Sequence, residues 1–237
     1  MRISGTRKQQ EMQIKSLRLL MRTEQKYVEK LELFIKDYLV PCRELCKGNK
    51  KKLKQLGYLF IDVEEVLELH HRFSKAIETY YELWPACQGV IKAVFEMVLE
   101  FQMYEKYVNN IPFSKTTFYE LKKEKSPIIT LILKLDEDRK ANWTDTEHVY
   151  RDFRRLLKLP MKQLLAYKSP LKKLMISTPE SHPDYRFRVA ASAIFREIGL
   201  YLNFIFKRSL ANQSMIILEG RLIVPAKVRS QKLGMSQ

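Results

Sequence analysis

Across residues 9–39 the chain carries Ile14, Leu17, Leu20, Met21, Tyr27, Val28, Leu31, Phe34, Ile35 and Tyr38, mostly at three- and four-residue steps. That spacing lines one face of an α-helix, and a helix of that length spans roughly 45 Å at 1.5 Å per residue. Few small compact domains need a rod so long. Whatever covers its apolar face must be long as well, so the stripe points to an elongated bundle of helices. Glycine, at 7 in 237 residues, is too scarce for a fold rich in tight turns.

The rest of the chain repeats the pattern in shorter pieces. Pro41 is expected to end the first helix, and "CKGNKKKLKQLG" reads as a basic, solvated connector. A second helix is predicted over "YLFIDVEEVLELHHRFSKAIETYYELW", with Leu59, Val63, Val66, Leu67, His70, Phe73 and Ile77 on its apolar face and Pro85 as its stop. His70 and His71 have no acid or cysteine placed with them in the sequence and read as solvent-facing or capping side chains. A third helix is predicted over 90–109, closed by Pro112, and a fourth over 118–135, interrupted at Pro127.

"LDEDRKANWTDTEHVY" reads as a polar connector offering Thr144 or Asp145 as a helix N-cap. The next helix is expected over 147–177, with leucines at helical spacing, two internal prolines (Pro160 and Pro170), and lysines but no acid from 158 to 173. "TPESHPDY" must break it, and a last amphipathic helix follows over 186–210. Ile216, Ile217, Leu222, Ile223 and Val224 around Gly220 read instead as the start of a strand–turn–strand. The expected fold is all-α, an elongated bundle of about six helices with a short strand-like tail.

Composition narrows the functional classes. With 43 basic and 27 acidic residues the formal charge is +16, which favours an anionic partner: phospholipid headgroups, nucleic acid or an acidic protein face. Aromatic-interleaved basic motifs, zinc-ligand spacing and a helix-turn-helix signature are absent, which sets nucleic acid aside. Cys42, Cys46 and Cys87 form no framework and no zinc pattern and read as reduced thiols. The N-terminus lacks the apolar core, about seven residues long, of a signal peptide. No apolar run approaches the roughly 18 residues of a membrane span. The expectation is a soluble cytoplasmic protein. No Ser/His/Asp set, HExxH, paired carboxylates or glycine-rich phosphate loop is present, so neither hydrolysis nor a metal or other cofactor is expected.

"LLMRTEQKYVEKL", "LFIDVEEVLELHHRF" and "MYEKYVNN" occur in that order, followed by "LKLPMKQLLAYKSPLKKLMISTPESHPDY" and "YLNF". Together they resemble the signatures of the Dbl-homology domain, the exchange-factor module for Rho-family GTPases. The first keeps Thr23, Glu24, Tyr27, Val28 and Leu31. The later ones keep Pro160, Tyr167, Leu171, Leu174, Thr178, His182, Asp184 and Asn203 in register. The resemblance covers residues 10–210 and implies an elongated helical bundle. The implied activity is guanine-nucleotide exchange on a Rho-family small GTPase, in which the nucleotide-free state is stabilised by remodelling of the switch regions without covalent chemistry.

The family anchors this contact with a Glu on the first helix, a basic residue before the conserved Tyr of the long helix, and an Asn on the last. These land here on Leu19, Ala166 and Asn203. Lys162 and Gln163 stand where the family has Gln-Arg, and Phe204 where a Glu usually follows the Asn. The expected GTPase-binding set is Leu19, Glu24, Lys162, Gln163, Ala166, Asn203 and Lys207. Losing two charged anchors leaves a second reading open, a pseudo-exchange domain that binds a GTPase as a scaffold. The tail, 211–237, resembles the first strand of a pleckstrin-homology domain. It implies either the start of such a domain or a segment packed back on the bundle. The net charge implies peripheral attraction to an anionic plasma-membrane surface.

Overall fold

The computed structural model describes residues 7–84, 89–100, 102–142 and 152–189, together with helical positions 193, 197, 200, 204, 207 and 208. Its backbone is all-α. The first rod consists of α1 (Arg7–Phe34), a π-turn (Ile35–Leu39) and α2 (Val40–Leu45), and α3 (Lys50–Phe60) and α4 (Val63–Glu82) follow. Then come α5 (Val90–Glu100), α6 (Gln102–Lys123), α7 (Pro127–Ala141), α8 (Phe153–Leu156), α9 (Leu159–Ala166) and α10 (Lys168–Ser177). These are more segments than the six expected, because several predicted rods are split. The strand-like tail lies outside the described residues.

The apolar stripe of α1 does what its period requires. Leu17, Leu20, Tyr27, Leu31, Phe34 and Tyr38 are buried, and α1 packs along α4 on one side and α10 on the other. At the far end Phe34, Tyr38, Phe60, Phe118 and Phe153 form one aromatic cluster with ring centroids 5.2 to 5.9 Å apart. Asp136 on α7 secures it, accepting hydrogen bonds from the Tyr38 hydroxyl (2.7 Å) and the Phe153 amide (2.9 Å).

Several breaks differ from the sequence expectation. Pro41 does not end the first helix. The Val40 N–H bonds to the Ile35 carbonyl, five residues back, and the widened turn makes room for a proline that has no N–H of its own. Pro112 likewise sits inside α6. A helix-interior proline costs about 3 kcal/mol, but burial of Phe118 and Leu121 beyond it returns about 1.5–3 kcal/mol each. The basic connector is partly helical: Asn49 caps α3 by accepting the Lys52 N–H at 3.0 Å, while Leu56, Leu59 and Phe60 on the same helix are buried.

The predicted second helix is instead divided at Ile61 and Asp62, both left-handed at φ 49° and 48°. Part of the polar connector, through Ala141, belongs to α7. Thr144 and Asp145 lie outside the described residues, and the cap observed is Asp152, whose Oδ1 accepts the Arg155 N–H at 2.8 Å. The two prolines of the long helix also find a reason. The rod is divided at Leu157–Lys158 and again at Tyr167, so that Pro160 and Pro170 each fall in the first turn of a helix, where a missing N–H costs nothing.

Candidate functional site

The face at issue is where α1 meets α9 and α10. Gln13 Nε2 donates to Thr178 Oγ1 at 3.4 Å, and the Tyr167 hydroxyl donates to Glu24 Oε2, so α10 runs antiparallel to α1 with 13 beside 178 and 24 beside 167. Gln163 Nε2 reaches the Thr23 carbonyl at 3.4 Å and extends the same register to α9. Leu19 stands five residues from the Glu24 level, about 7.5 Å of helix rise. Leu19 on α1 and Lys162 and Ala166 on α9, which packs against α1, are all exposed, with Thr23 bonded back to the Leu19 carbonyl at 2.7 Å.

Two residues expected to contact the partner are turned inward. Glu24 is wholly buried. Its Oε1 lies 2.7 Å from His70 Nδ1, and its Oε2 accepts from Tyr167. His70 Nε2 in turn meets the Tyr104 hydroxyl, which lies 3.4 Å from that of Tyr27. Gln163 is buried too, its amide spent on Thr23. The reading of both as surface contacts is corrected by this geometry.

The same holds for His70, expected at the surface but found at zero exposure with an acid beside it. Of the two adjacent histidines only His71 faces solvent, 2.9 Å from Glu32. Burial, and then the Glu24 charge, push the Tyr167 hydroxyl well above its ordinary value, and burial does the same to Tyr104. Both therefore stay protonated, and Tyr167 remains a donor to the carboxylate. The network ties α1, α4, α6 and the α9–α10 junction together directly beneath the exposed Leu19–Ala166 face.

The "HPDY" segment also proves structural. Asp184 Oδ2 accepts the Ile91 N–H at 2.8 Å near the start of α5, and the Asp184 N–H donates to His182 Nδ1 at 3.0 Å. Beyond it, Ala193, Glu197, Leu200, Phe204, Lys207 and Arg208 are helical and exposed at spacings that place them on one helix face. Lys207 is thus available to a partner. Leu200 and Phe204, at 60% and 59% exposure, are two large apolar side chains not included in the expected set. The signal for Phe204 was its place after the Asn. Asn203 itself lies outside the described residues.

The described residues thus form an all-α bundle in which the first helix packs against the proline-bearing segments α9 and α10. The RhoGEF domain family model matches residues 17–203, and the chain belongs to that family. Human Rho guanine nucleotide exchange factor 17 is 21% identical over 187 residues, covering 78% of this chain and 9% of the relative. The human phosphatidylinositol 3,4,5-trisphosphate-dependent Rac exchanger 2 protein is 27% identical over 185 residues, covering 75% and 11%.

The chain thus spans about a tenth of the length of these relatives. Among solved structures, Vav1 held by an allosteric inhibitor superposes at TM-score 0.72 (18% identity, 91% of this chain and 37% of that one). The linker-DH/PH domains of p115-RhoGEF superpose at 0.69 (16%, 85% and 60%). The DH/PH domains of PDZ-RhoGEF in complex with GTP-gamma-S-activated RhoA superpose at 0.67 (14%, 87% and 57%). At these identities the structures establish the fold.

Proposed function

We propose that the chain binds a Rho-family small GTPase on the face formed by Leu19, Lys162 and Ala166, with Asn203 and Lys207 on the last helix. On this reading it acts as a guanine-nucleotide exchange factor, remodelling the switch regions to stabilise the nucleotide-free GTPase. The supporting observation is that α1 and α9, more than a hundred residues apart in sequence, pack together with Leu19, Lys162 and Ala166 exposed on them. The net +16 supports a cytoplasmic protein drawn peripherally to an anionic membrane, where lipid-anchored partners reside.

A second reading, a GTPase-binding scaffold with weak exchange, is favoured by one specific observation. Leu19 is apolar and exposed, and Glu24, on the same helix and one of the residues kept from the family pattern, is buried and committed to His70 and Tyr167. Glu24 cannot supply the missing charge at switch I. Truncating a charged interface anchor commonly costs 2–5 kcal/mol.

Release of fluorescent GDP from Rho, Rac and Cdc-type GTPases, run beside a pull-down on nucleotide-free GTPase, separates the readings. Accelerated release supports exchange, and tight capture with intrinsic-rate release supports the scaffold. Leu19→Glu with Ala166→Lys should raise release at least tenfold on the captured GTPase. If neither wild type nor this variant captures any GTPase, the binding face is misplaced.

A further inference from the structure

From Lys47 to Ile61 the chain has five lysines and no acid. In the fold this run becomes the turn after α2 and the helix α3. Leu56, Leu59 and Phe60 point into the core, whereas Lys50, Lys51, Leu53, Lys54 and Tyr58 face out. The outward face is not purely charged. Leu53 is 40% exposed and Tyr58 50%, and Leu45 at the end of α2 is 42% exposed beside them. Lys54 Nζ lies 5.9 Å over the Tyr58 ring. The carboxylate at this corner, Glu44, is 3.6 Å from Lys47, and among the described residues no ion pair engages Lys50, Lys51, Lys52 or Lys54.

The neighbouring helix adds charge. Ser114 Oγ donates to the Leu59 carbonyl at 2.6 Å and Lys106 pairs with Asp62 at 2.7 Å, so α6 runs antiparallel to α3. The lysines closing α6, Lys122 and Lys123, with Lys125 just beyond, therefore come to the same end of the bundle, in excess over the exposed Glu120 and Glu124 among them.

We propose that this end of the bundle, the outer face of α3 with Leu45 and the end of α6, docks on an anionic lipid bilayer. The inference rests on the membrane attraction proposed above and gives it a location. Lysine stems lie along apolar surface while their ammonium groups reach headgroups, and exposed Leu and Tyr enter the interfacial layer. A phosphate backbone has no use for two exposed leucines, and the run has no arginine to make the bidentate contacts that favour nucleic acid. Leu45 is 26 residues along the first rod from Leu19, roughly 39 Å of helix rise, so lipid and GTPase occupy separate surfaces.

The test compares two variants of equal charge loss: Lys50→Gln/Lys51→Gln/Lys54→Gln on α3, and Lys168→Gln/Lys172→Gln/Lys173→Gln on α10. Each is sedimented with vesicles of phosphatidylcholine alone and with added phosphatidylserine. At about 1 kcal/mol, or fivefold, per lysine, the α3 variant should lose roughly a hundredfold in partitioning onto phosphatidylserine vesicles, with the α10 variant near wild type. Leu53→Trp should give a blue-shifted emission on these vesicles only.

Equal loss in both variants would assign the attraction to diffuse net charge and overturn the proposal. So would wild-type protein that ignores phosphatidylserine, or lysine-dependent binding to a labelled oligonucleotide without vesicle binding. Capture of nucleotide-free GTPase by the α3 variant, measured without lipid, should match wild type. A variant that loses lipid and keeps the GTPase thus separates this proposal from the reading on which it rests.

Discussion

Replacing Glu24 by alanine tests whether the buried network holds the GTPase-facing surface together. The carboxylate has no exposure and serves two groups, His70 Nδ1 at 2.7 Å and the Tyr167 hydroxyl. Alanine would take the acceptor from both, leaving them to each other at 3.2 Å, at about 1–3 kcal/mol for a lost buried partner, and would open a void between α1 and α4. Removing one member of a buried pair costs about 3–5 kcal/mol in total. For a chain of this size, that lowers the melting temperature by roughly 6–20 °C. Urea unfolding followed by far-ultraviolet circular dichroism measures it directly. Glu32→Ala provides the control: Glu32 contacts His71 at a half-exposed site, where the loss should stay below about 0.5 kcal/mol. A double-mutant cycle of Glu24→Gln with Tyr167→Phe should show coupling of about 1 kcal/mol or more. If Glu24→Ala unfolds within about 1 kcal/mol of wild type, the network does not hold α9–α10 against α1, and the account of the face fails.

Two further outcomes follow from burial. Burial holds the Asp184 carboxyl up at about 6 against an ordinary 3.8, partly offset by the Ile91 and Lys92 amides. Between those values the folded chain keeps a proton that the unfolded chain has lost, so this group's contribution to stability falls as pH rises from about 4 to about 6 and is level above. Asp184→Asn should remove that part of the slope in urea midpoints taken at pH 4.5 and 6.5, and an unchanged slope would count against the assignment. Burial, helped by Cys46 nearby, also pushes the Cys42 thiol up to about 12. At pH 8, iodoacetamide should alkylate Cys42 about three orders of magnitude more slowly than in urea-unfolded protein, as read by peptide mass spectrometry. Rapid native labelling would contradict the burial.

The helices and their order could be read from apolar spacing, because packing on a long first helix leaves few alternatives. The identities within the core were harder. Glu24 falls in phase with Leu17, Leu20, Tyr27 and Leu31, and His70 in phase with Val66, Phe73 and Ile77, so both lay on the buried stripes in plain sight. Polarity argued for the surface, and the partner that reverses the argument is 46 residues away in sequence. The prolines misled in the other direction. A local rule ends helices at Pro41 and Pro112, whereas the packing of residues on both sides decides the matter here. Leu19, Lys162 and Ala166 were placed on the surface by the resemblance, and the lost charge at Leu19 and Ala166 was legible before any coordinates.

The π-turn at Ile35–Leu39 carries one residue more than an α-helical turn, and the first rod keeps the resulting phase error. Up to Tyr38 the inward positions recur at 27, 31, 34 and 38, and an unbroken rhythm would next turn 41 and 45 to the core. Instead Cys42 and Cys46 are buried, and Leu45 is left outside. The widened turn absorbs that residue, about 100° of rotation, and so keeps Cys42 and Cys46 rather than Pro41 and Leu45 turned to the core. Deleting one residue from 35–39 would close it to an α-helical turn and leave Cys42 and Cys46 inward and Leu45 outward. A related chain one residue shorter at this point would therefore keep both the α2 end of the rod and the Leu19 face as they are here.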